Sequence, residues 1–214
     1  MKQLCLPSFA KINLFLDVVG KRSDGFHNIE TIFQTISLKD NLFFLLTNGG
    51  KNSLTSSHPN LPLDETNLIL RAANLLQTRF SIAKGVEIHI EKRIPLAGGL
   101  AGGSSNAAIT LLALNKLWDL RLSHAELCQL GLELGSDVPF FFYGGTAAAT
   151  GRGEKLAALP DNVPGYMFLL VNPQTASPTK AAYQNLNGIF GQPGGLEKMI
   201  KRLENGQWQL FFEH

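Results

Sequence analysis

A glycine-rich segment constrains this chain more than any other feature of its sequence. The segment Pro95–Ala108 reads PLAGGLAGGSSNAA, with two Gly-Gly pairs followed by two serines. It follows an alternating stretch at Val86–Glu91 that predicts a strand, and it runs into an Ala- and Leu-rich stretch at Asn106–Leu117 that predicts a helix. Glycines let a ligand approach the backbone, and the first N–H groups of a helix attract anions. The segment therefore predicts a phosphate-binding loop.

Two well-known phosphate-binding motifs do not fit this segment. Gly98 and Gly103 have the spacing of a P-loop, but Ser104 stands where that motif requires lysine. No frame supplies the glycines of the dinucleotide-binding motif GxGxxG. The prediction is a phosphate loop of a third kind, and the alternative is a structural turn closed by a serine cap.

A carboxylate lies in a short connection further along the chain. Asp137 belongs to the sequence GSDVP, after a predicted helix that ends at Gly135 and before an apolar stretch that starts at Pro139. A side chain fixed between two rigid elements is well placed to act as a general base. The alternative is an aspartate in a turn before proline, which is common.

A lysine interrupts an otherwise apolar strand near the N-terminus. Lys11 and Asn13 fall on the same face of the predicted strand in PSFAKINL. A lysine with apolar neighbours requires an anionic partner, and Asp137 or a phosphate would serve. The alternative is a lysine that extends its ammonium group to solvent at a strand edge.

Composition excludes several classes of protein. Apolar residues make up 44% and charged residues 17%, which is typical of globular chains, and the net charge of +2 without a basic block argues against nucleic-acid binding. The start of the chain predicts no signal peptide, and no apolar run is long enough to span a membrane. Cys5 and Cys128 stand alone in apolar surroundings, which predicts reduced core thiols in a cytoplasmic protein.

Strands and helices are mixed without a strict βαβ alternation, which predicts an α+β fold. Residues 48–64 are rich in Gly, Ser and Pro and predict a surface loop. The predicted strands are Ile12–Val19, Ile29–Ile36, Leu42–Leu46, Val86–Glu91, Pro139–Tyr143, Gly145–Ala149 and Tyr166–Val171. The predicted helices are Thr66–Phe80, Asn106–Leu117, a helix that ends at Gly135 with a capping box at Ser123 and Glu126, and Leu196–Leu203.

At these residues the chain resembles the GHMP kinase superfamily, and within it the kinases that act on a cytidine-diphosphate-linked polyol of isoprenoid (terpenoid) biosynthesis. The resemblance implies a lobe like domain 2 of ribosomal protein S5 at residues 1–155 and the start of a ferredoxin-like lobe at 156–214. The matching motifs, beside the glycine-rich segment, are Ala10–Leu14, Arg22–His27, Thr66–Ile69, Lys92–Pro95, Gly135–Phe140 and Ser177–Thr179.

The resemblance also implies catalytic and ATP-binding residues. Asp137 would be the general base, and Lys11 would hold it ionised and neutralise charge on the transferring phosphoryl group. The base of ATP would lie beside Asn67, Leu68 and Lys92, and Mg²⁺ would accompany the nucleotide, although no metal ligand is identified. The phosphates would lie against Pro95, Leu96, Ala97, Gly98, Gly99, Leu100, Ala101, Gly102, Gly103, Ser104 and Ser105.

For the acceptor, the resemblance implies a cytosine site. His27 would read the base edge with Asn13 nearby, and Phe26 and Tyr183 would enclose the ring. Aromatic side chains suit a flat base. Each residue also has a structural alternative: Phe26 could anchor a loop, His27 could belong to a turn, and Tyr183 could lie in the core.

Two other functions remain open at this stage. One is a different GHMP kinase, such as a homoserine or mevalonate kinase, although those acceptors have no base to stack on Phe26. The other is a non-catalytic nucleotide-binding chain, because members of the superfamily carry a further glycine-rich motif and none follows residue 195 here. The apolar end at 208–214 predicts a truncated chain on this view.

Overall fold

The computed structural model describes residues 2–160, 167–172, 186, 190–191 and 194–207. Tyr183, the motif Ser177–Thr179 and the stretch 208–214 lie outside the described residues. In the described part, strands and helices are mixed and the α+β prediction is confirmed. The elements are, in chain order, β1 (Gln3–Lys21), β2 (His27–Thr47), β3 (Ser53–Ser56), α1 (Leu68–Arg79), β4 (Gly85–Glu91), α2 (Gly102–Leu117), α3 (His124–Leu134), α4 (Phe140–Tyr143), β5 (Thr146–Thr150), β6 (Lys155–Leu159) and α5 (Gly195–Glu204).

The chain divides into two compact units, and the long strands β1 and β2 contribute to both. The first unit contains the chain up to Lys11, Ile36–Leu96 and Leu100–Phe142, and the second contains Ile12–Thr35, Ala97–Gly99 and the chain from Tyr143 onward. The domain boundary that the sequence suggests near residue 155 stays a prediction.

The first unit places three helices against a sheet. The C-terminal half of β2 pairs antiparallel with β4, with Leu42 opposite Ile90, and β4 pairs parallel with β3. Alternate residues of β2 and β4 are buried, because a strand directs successive side chains to opposite faces. The core of this unit is formed by these strand residues and by α1, α2 and α3.

The second unit has a smaller core. The N-terminal half of β2 pairs antiparallel with β5, and β5 pairs antiparallel with β6. Leu196, Met199 and Leu203 of α5 are buried in one cluster with Ile32 and Ala148. The spacing of three and four residues along α5 puts these side chains on one face of the helix. The predicted helix Leu196–Leu203 is confirmed.

The prediction of a strand at Pro139–Tyr143 was wrong. Residues Phe140–Tyr143 form the short helix α4, and the N–H of Phe142 donates to the carbonyl of Pro139 at 3.0 Å. Proline suits the first turn of a helix. Aromatic residues favour strands mainly through the packing they find there, and here Phe140 is buried within a helical turn instead.

Several other strand predictions need correction. The two strands predicted between Ile29 and Leu46 are one continuous strand, β2. The predicted loop at 48–64 contains β3, a short polar strand in which Leu54 is the buried residue. Residues 167–171, which belong to the predicted strand Tyr166–Val171, form no strand, and Lys155–Leu159 forms the unpredicted β6.

The two cysteines are free, but the prediction that both are core thiols was wrong. Cys5 is exposed and Cys128 is partly buried. Cys5 occupies an outward-facing position of β1, where strand alternation and not hydrophobicity sets exposure. Among the described helices, none has the length and apolar character that crossing a bilayer requires.

Candidate active site

The glycine loop, defined here as Pro95–Ser105, leads directly into α2. The helix begins at Gly102, four residues before the predicted start, and Ala101 precedes it without a side-chain hydrogen bond to the first turn. The N–H groups of the first helical turn have no intrahelical acceptor. Together with the positive end of the helix dipole, they form a favourable position for an anion.

Two glycines of this loop are favoured for different reasons. Gly99 has φ +71°, a left-handed conformation that glycine adopts without strain. At Gly102 a Cβ atom would lie 2.9 Å from Cγ2 of Ile94 and 3.2 Å from Nζ of Lys92, so close packing excludes a side chain. Gly103 is different, because a Cβ atom there would make ordinary contact with Leu68 at 3.5 Å.

Two alanines of the loop adopt conformations that favour glycine. Ala97 has φ +54° and Ala101 has φ +52°. A left-handed conformation costs a residue with a Cβ atom about 1–2 kcal/mol. The loop therefore holds a left-handed backbone at positions 97 and 101 although both residues are alanine.

Lys11 contacts both the glycine loop and the predicted base. Its backbone N–H donates to the carbonyl of Leu100 at 3.1 Å, and its Nζ lies 3.7 Å from Oδ2 of Asp137. The Lys11 side chain is 7% exposed, whereas that of Asp137 is 34% exposed. The predicted anionic partner of Lys11 is therefore Asp137, and the carboxylate keeps access to solvent.

The two charged groups differ in how they are held. Burial lowers the pKa of the Lys11 ammonium group, and the neighbouring Asp137 carboxylate opposes this shift. Asp137 lies in the connection between α3 and α4, where the N–H of Val138 donates to the carbonyl of Gly135 at 3.2 Å. A buried cation thus faces a carboxylate that a closed turn fixes in place.

Sequence reasoning missed a buried polar network beneath the loop. The carboxylate of Asp40 is fully buried, and it accepts hydrogen bonds from the N–H groups of Arg93 (2.7 Å) and Ile94 (2.8 Å). Nζ of Lys92 and Nδ2 of Asn106 donate to its other oxygen, at 2.8 and 3.0 Å. An aspartate within a largely apolar strand was the signal in the sequence, but its partners are far away along the chain.

The same network contains the serine that was expected to bind phosphate. Oγ of Ser105 is buried and lies 2.7 Å from Oγ of Ser8, which also accepts a hydrogen bond from Asn106 at 2.9 Å. The Ser105 N–H donates to the carbonyl of Ala101 at 2.9 Å. Ser105 therefore contacts the protein interior, whereas Ser104 and Gly103 retain exposed surface at the helix start.

The residues predicted beside the nucleotide base have different environments. Asn67 caps α1, with Oδ1 accepting from the N–H of Ile69 at 2.9 Å, and Leu68 lies next to the position of Gly103. The Lys92 side chain is only 3% exposed, and its ammonium group faces Asp40. Burial lowers the pKa of Lys92, while Asp40 opposes the shift. Leu68 thus lies beside the start of α2, Asn67 precedes it at the start of α1, and the Lys92 ammonium group lies in the interior.

The described acceptor-binding candidates belong to the second unit. Nδ2 of Asn13 donates to the hydroxyl of Thr31 at 2.7 Å, and the ring of His27 lies 6.2 Å from that of Phe190. Phe26 is 52% exposed, and the Arg152 guanidinium carbon lies 4.6 Å from its ring centroid. Sequence reasoning did not identify Arg152, whose contact with Phe26 depends on the turn between β5 and β6.

Comparison with known proteins shows which family the chain belongs to. Residues 67–145 match the description "GHMP kinases N terminal domain". A protein of Listeria innocua named 4-diphosphocytidyl-2-C-methyl-D-erythritol kinase is 47% identical over 98% of this chain and 72% of its own length. The corresponding protein of Bacillus cereus is 44% identical over 97% of this chain and 71% of its own length.

Solved structures agree with the fold. The crystal structure of a 4-(cytidine 5'-diphospho)-2C-methyl-D-erythritol kinase superposes with a TM-score of 0.74 and 34% identity, covering 95% of this chain and 72% of that one. The mevalonate kinase of Methanococcus jannaschii superposes with a TM-score of 0.68 at 15% identity, over 100% of this chain and 74% of that one, which shows the fold alone. The chain belongs to the 4-diphosphocytidyl-2-C-methyl-D-erythritol kinase family of the GHMP kinases.

Proposed function

We propose that this chain transfers the γ-phosphoryl group of ATP to the 2-hydroxyl group of 4-diphosphocytidyl-2-C-methyl-D-erythritol, giving the 2-phosphate and ADP in isoprenoid precursor synthesis. The observation that carries the proposal is the position of Lys11, which bonds to Leu100 of the glycine loop and lies 3.7 Å from Asp137. A phosphate-binding loop and a general base beside one lysine are the parts that phosphoryl transfer requires.

Asp137 is the proposed general base. Its carboxylate accepts the proton of the 2-hydroxyl group as that oxygen forms a bond to the γ-phosphorus, and the bond from phosphorus to the β,γ-bridging oxygen breaks to release ADP. Positioned proton transfer of this kind contributes about 10²–10⁴-fold to rate. Lys11, whose Nζ lies 3.7 Å from Asp137, neutralises charge on the phosphoryl oxygens as they move.

The glycine loop is the proposed site for the ATP phosphates. The N–H groups at the start of α2 and the Ser104 hydroxyl group are the donors, and Gly103 leaves the backbone open to the ligand. Asn67 and Leu68 are proposed to lie beside the nucleotide base. The buried ammonium group of Lys92 supports the loop, so we assign Lys92 no direct contact with ATP through that group.

The acceptor's cytosine is proposed to bind among Asn13, Phe26 and His27, with Tyr183 as the second aromatic wall. The large exposed fraction of Phe26 supports this assignment, because a stacking platform has to be open to its ligand. Stacking of a base on an aromatic side chain contributes about 1–3 kcal/mol.

Mg²⁺ fits this site as an ion carried by the nucleotide. Among the residues that the structure describes, no group of three or more His, Cys, Asp and Glu side chains could hold a metal ion by itself. Mg²⁺ commonly keeps several waters and binds substrate phosphates with few protein ligands, so it would accompany ATP without a dedicated protein cage. When bound, the ion neutralises charge on the ATP phosphates.

A turnover assay with Asp137→Asn tests the proposal. With MgATP and the polyol acceptor, this isosteric variant is expected to lose at least about 100-fold in kcat, because the amide cannot accept the proton. Asp119→Asn is the matched control, since Asp119 is an exposed carboxylate paired with Arg121 on the surface. An Asp137→Asn variant that keeps kcat within about tenfold of wild type contradicts the base assignment.

The acceptor class is tested by competition. Free CDP is expected to inhibit, and homoserine and mevalonate are expected to have no effect, because only CDP offers a base to the aromatic residues. Inhibition by homoserine or mevalonate with none by CDP contradicts the proposed identity of the acceptor.

The cytoplasmic location stays a prediction from the sequence.

A further inference from the structure

We propose that Asp40 is a positioning residue that holds both flanks of the glycine loop and thereby sets the affinity of the loop for nucleotide phosphates. The inference deepens the proposed function and rests on it for the identity of the ligand. Its basis is that a single buried carboxylate bonds to the residues on either side of Pro95–Ser105.

The first flank is the chain that enters the loop. The N–H groups of Arg93 and Ile94 donate to one oxygen of Asp40 at 2.7 and 2.8 Å. Nζ of Lys92 donates to the other oxygen at 2.8 Å and also to the carbonyl of Ile94. Three consecutive residues are thus oriented by one carboxylate just before the loop begins.

The second flank is Asn106 of α2, the residue directly after the loop. Nδ2 of Asn106 donates to Oδ2 of Asp40 at 3.0 Å and to Oγ of Ser8 at 2.9 Å. Asn106 is 2% exposed and Ser8 is fully buried, so solvent does not compete for these bonds. Since Asn106 directly follows Ser105, the bond fixes the rotation of the helix start that presents its N–H groups.

The burial of both charges indicates that this network orients the glycine loop and adds little to the stability of the fold. Asp40 is fully buried and the Lys92 side chain is 3% exposed, so both ions have lost their hydration. The desolvation of such a pair offsets most of its attraction, and buried ion pairs are weak contributors to net stability. Hydrogen bonds to an ion are nevertheless strong and directional, and a carboxylate with four donors has one orientation.

A misplaced loop is expected to bind phosphate poorly. Displacement by about 1 Å of groups that position a substrate can reduce catalysis by about 10²-fold. Loss of the Asp40 contacts therefore affects ATP more than the acceptor, whose proposed binding residues are not part of this network.

The variant that tests the inference is Asn106→Ala in the full chain. It removes the bond from α2 to Asp40 and leaves the pair of Asp40 with Lys92 intact. The expected result is a rise of about tenfold in the dissociation constant for MgATP, measured by calorimetry, with a parallel rise in KM for ATP and a KM for the acceptor within about twofold of wild type. Asp40→Asn, which disturbs both flanks, is expected to have a larger effect in the same direction.

The matched control is Thr110→Val. Thr110 is buried in α2, and its hydroxyl donates to the carbonyl of Asn106 at 2.7 Å without contacting Asp40. It therefore reports the effect of a lost buried polar group in the same helix. Asn106→Ser provides a second variant if the alanine protein does not fold, because its side chain is too short to replace the amide at Asp40.

The outcomes separate this inference from the proposed function. Equal MgATP affinities for the Asn106 variants and Thr110→Val, with similar losses in Tm, would overturn the inference and assign the network to folding alone. Wild-type protein that binds MgATP without phosphorylating the acceptor contradicts the proposed function, and the affinity comparison still decides the inference. Wild-type protein that binds no MgATP contradicts both.

Discussion

Lys11 joins the glycine loop to Asp137: its backbone N–H bonds to the carbonyl of Leu100 at 3.1 Å, and its ammonium nitrogen lies 3.7 Å from Oδ2 of Asp137. A residue in the middle of a strand has little freedom to move, because neighbouring residues are fixed by the sheet. β1 therefore fixes the backbone of Lys11, while the turn between α3 and α4 holds Asp137. This relationship is the reason for assigning both catalytic roles to the first unit.

Replacing Lys11 tests its role in charge neutralisation. Lys11→Met keeps the length and apolar stem of the side chain and removes its charge. We expect kcat to fall by about 10²–10³-fold, as for the loss of a donor that stabilises a transition state. Tm should change little, because the remaining partner Asp137 is 34% exposed and can be solvated. Steady-state kinetics and thermal unfolding measure the two effects.

The matched control for this variant is Lys116→Met. Lys116 is exposed near the end of α2, far along the helix from the glycine loop. We expect it to retain wild-type kcat. A Lys11→Met protein with kcat close to that of the control would show that the ammonium group has no part in phosphoryl transfer.

The pH dependence of activity follows from the burial of Lys11. Burial lowers the pKa of its ammonium group below the ordinary value of 10.5, so the proton leaves at a lower pH than from a free lysine. Because the charged form is the one that the proposed role requires, kcat/KM, which reports the free enzyme, is expected to decrease with rising pH on an alkaline limb that lies below pH 10.5.

The variant Lys11→Arg tests whether deprotonation of Lys11 causes this alkaline decrease in activity. A guanidinium group keeps its proton throughout the accessible range, so the residual activity of the variant should lose the alkaline limb. The pKa of Lys92 is also lowered by burial, and this lysine is unchanged in the variant. Persistence of the same limb in Lys11→Arg would therefore assign the titration to Lys92 or another group and refute the prediction.

The glycine loop offers a pair of substitutions that separate packing from ligand access. Gly102→Ala places a Cβ atom 2.9 Å from Ile94, and overpacking of this kind typically costs about 1–3 kcal/mol, so Tm should fall. Gly103→Ala makes only ordinary contact with Leu68, and alanine is the better helix former by about 0.5–1 kcal/mol.

Gly103→Ala is therefore expected to keep or raise Tm while it weakens MgATP binding, because its new methyl group lies at the open start of α2. Thermal unfolding and calorimetric titration of both variants measure the two properties. Undiminished affinity in Gly103→Ala would mean that phosphate does not approach the backbone at this position.

The sequence alone predicted the features that depend on residues close together in the chain or on the cost of burying a charge. The glycine segment, the capping box at Ser123 and Glu126, and the need of Lys11 for an anion follow from local pattern and charge, and the structure confirms the capping box and the partner. These features are determined by neighbours along the chain or by the free energy of burying a charge, so a single sequence contains them.

The sequence was not informative where the contacts are long-range. Asp40 lies 52 residues from Lys92 and 66 from Asn106, and no local pattern indicates that these side chains meet. The stretch Phe140–Tyr143 suits either a strand or a helical turn by composition, and only its position after Pro139 and its tertiary packing decide for the helix. Both failures arise because tertiary contacts override local preference.

Phe26→Leu tests the proposed cytosine site. Phe26 is 52% exposed and lies beneath the Arg152 guanidinium group, so the change removes an aromatic face without creating a cavity in a core. Stacking energies of about 1–3 kcal/mol correspond to roughly 5–150-fold in affinity, so KM for the acceptor should rise by this factor while KM for ATP stays within about twofold of wild type.

Phe80→Leu is the control, because Phe80 is a partly exposed phenylalanine at the end of α1. Equal acceptor KM values in the two variants would place the cytosine elsewhere and leave Phe26 with a structural role, since a loop anchor affects stability and not the discrimination between the two substrates.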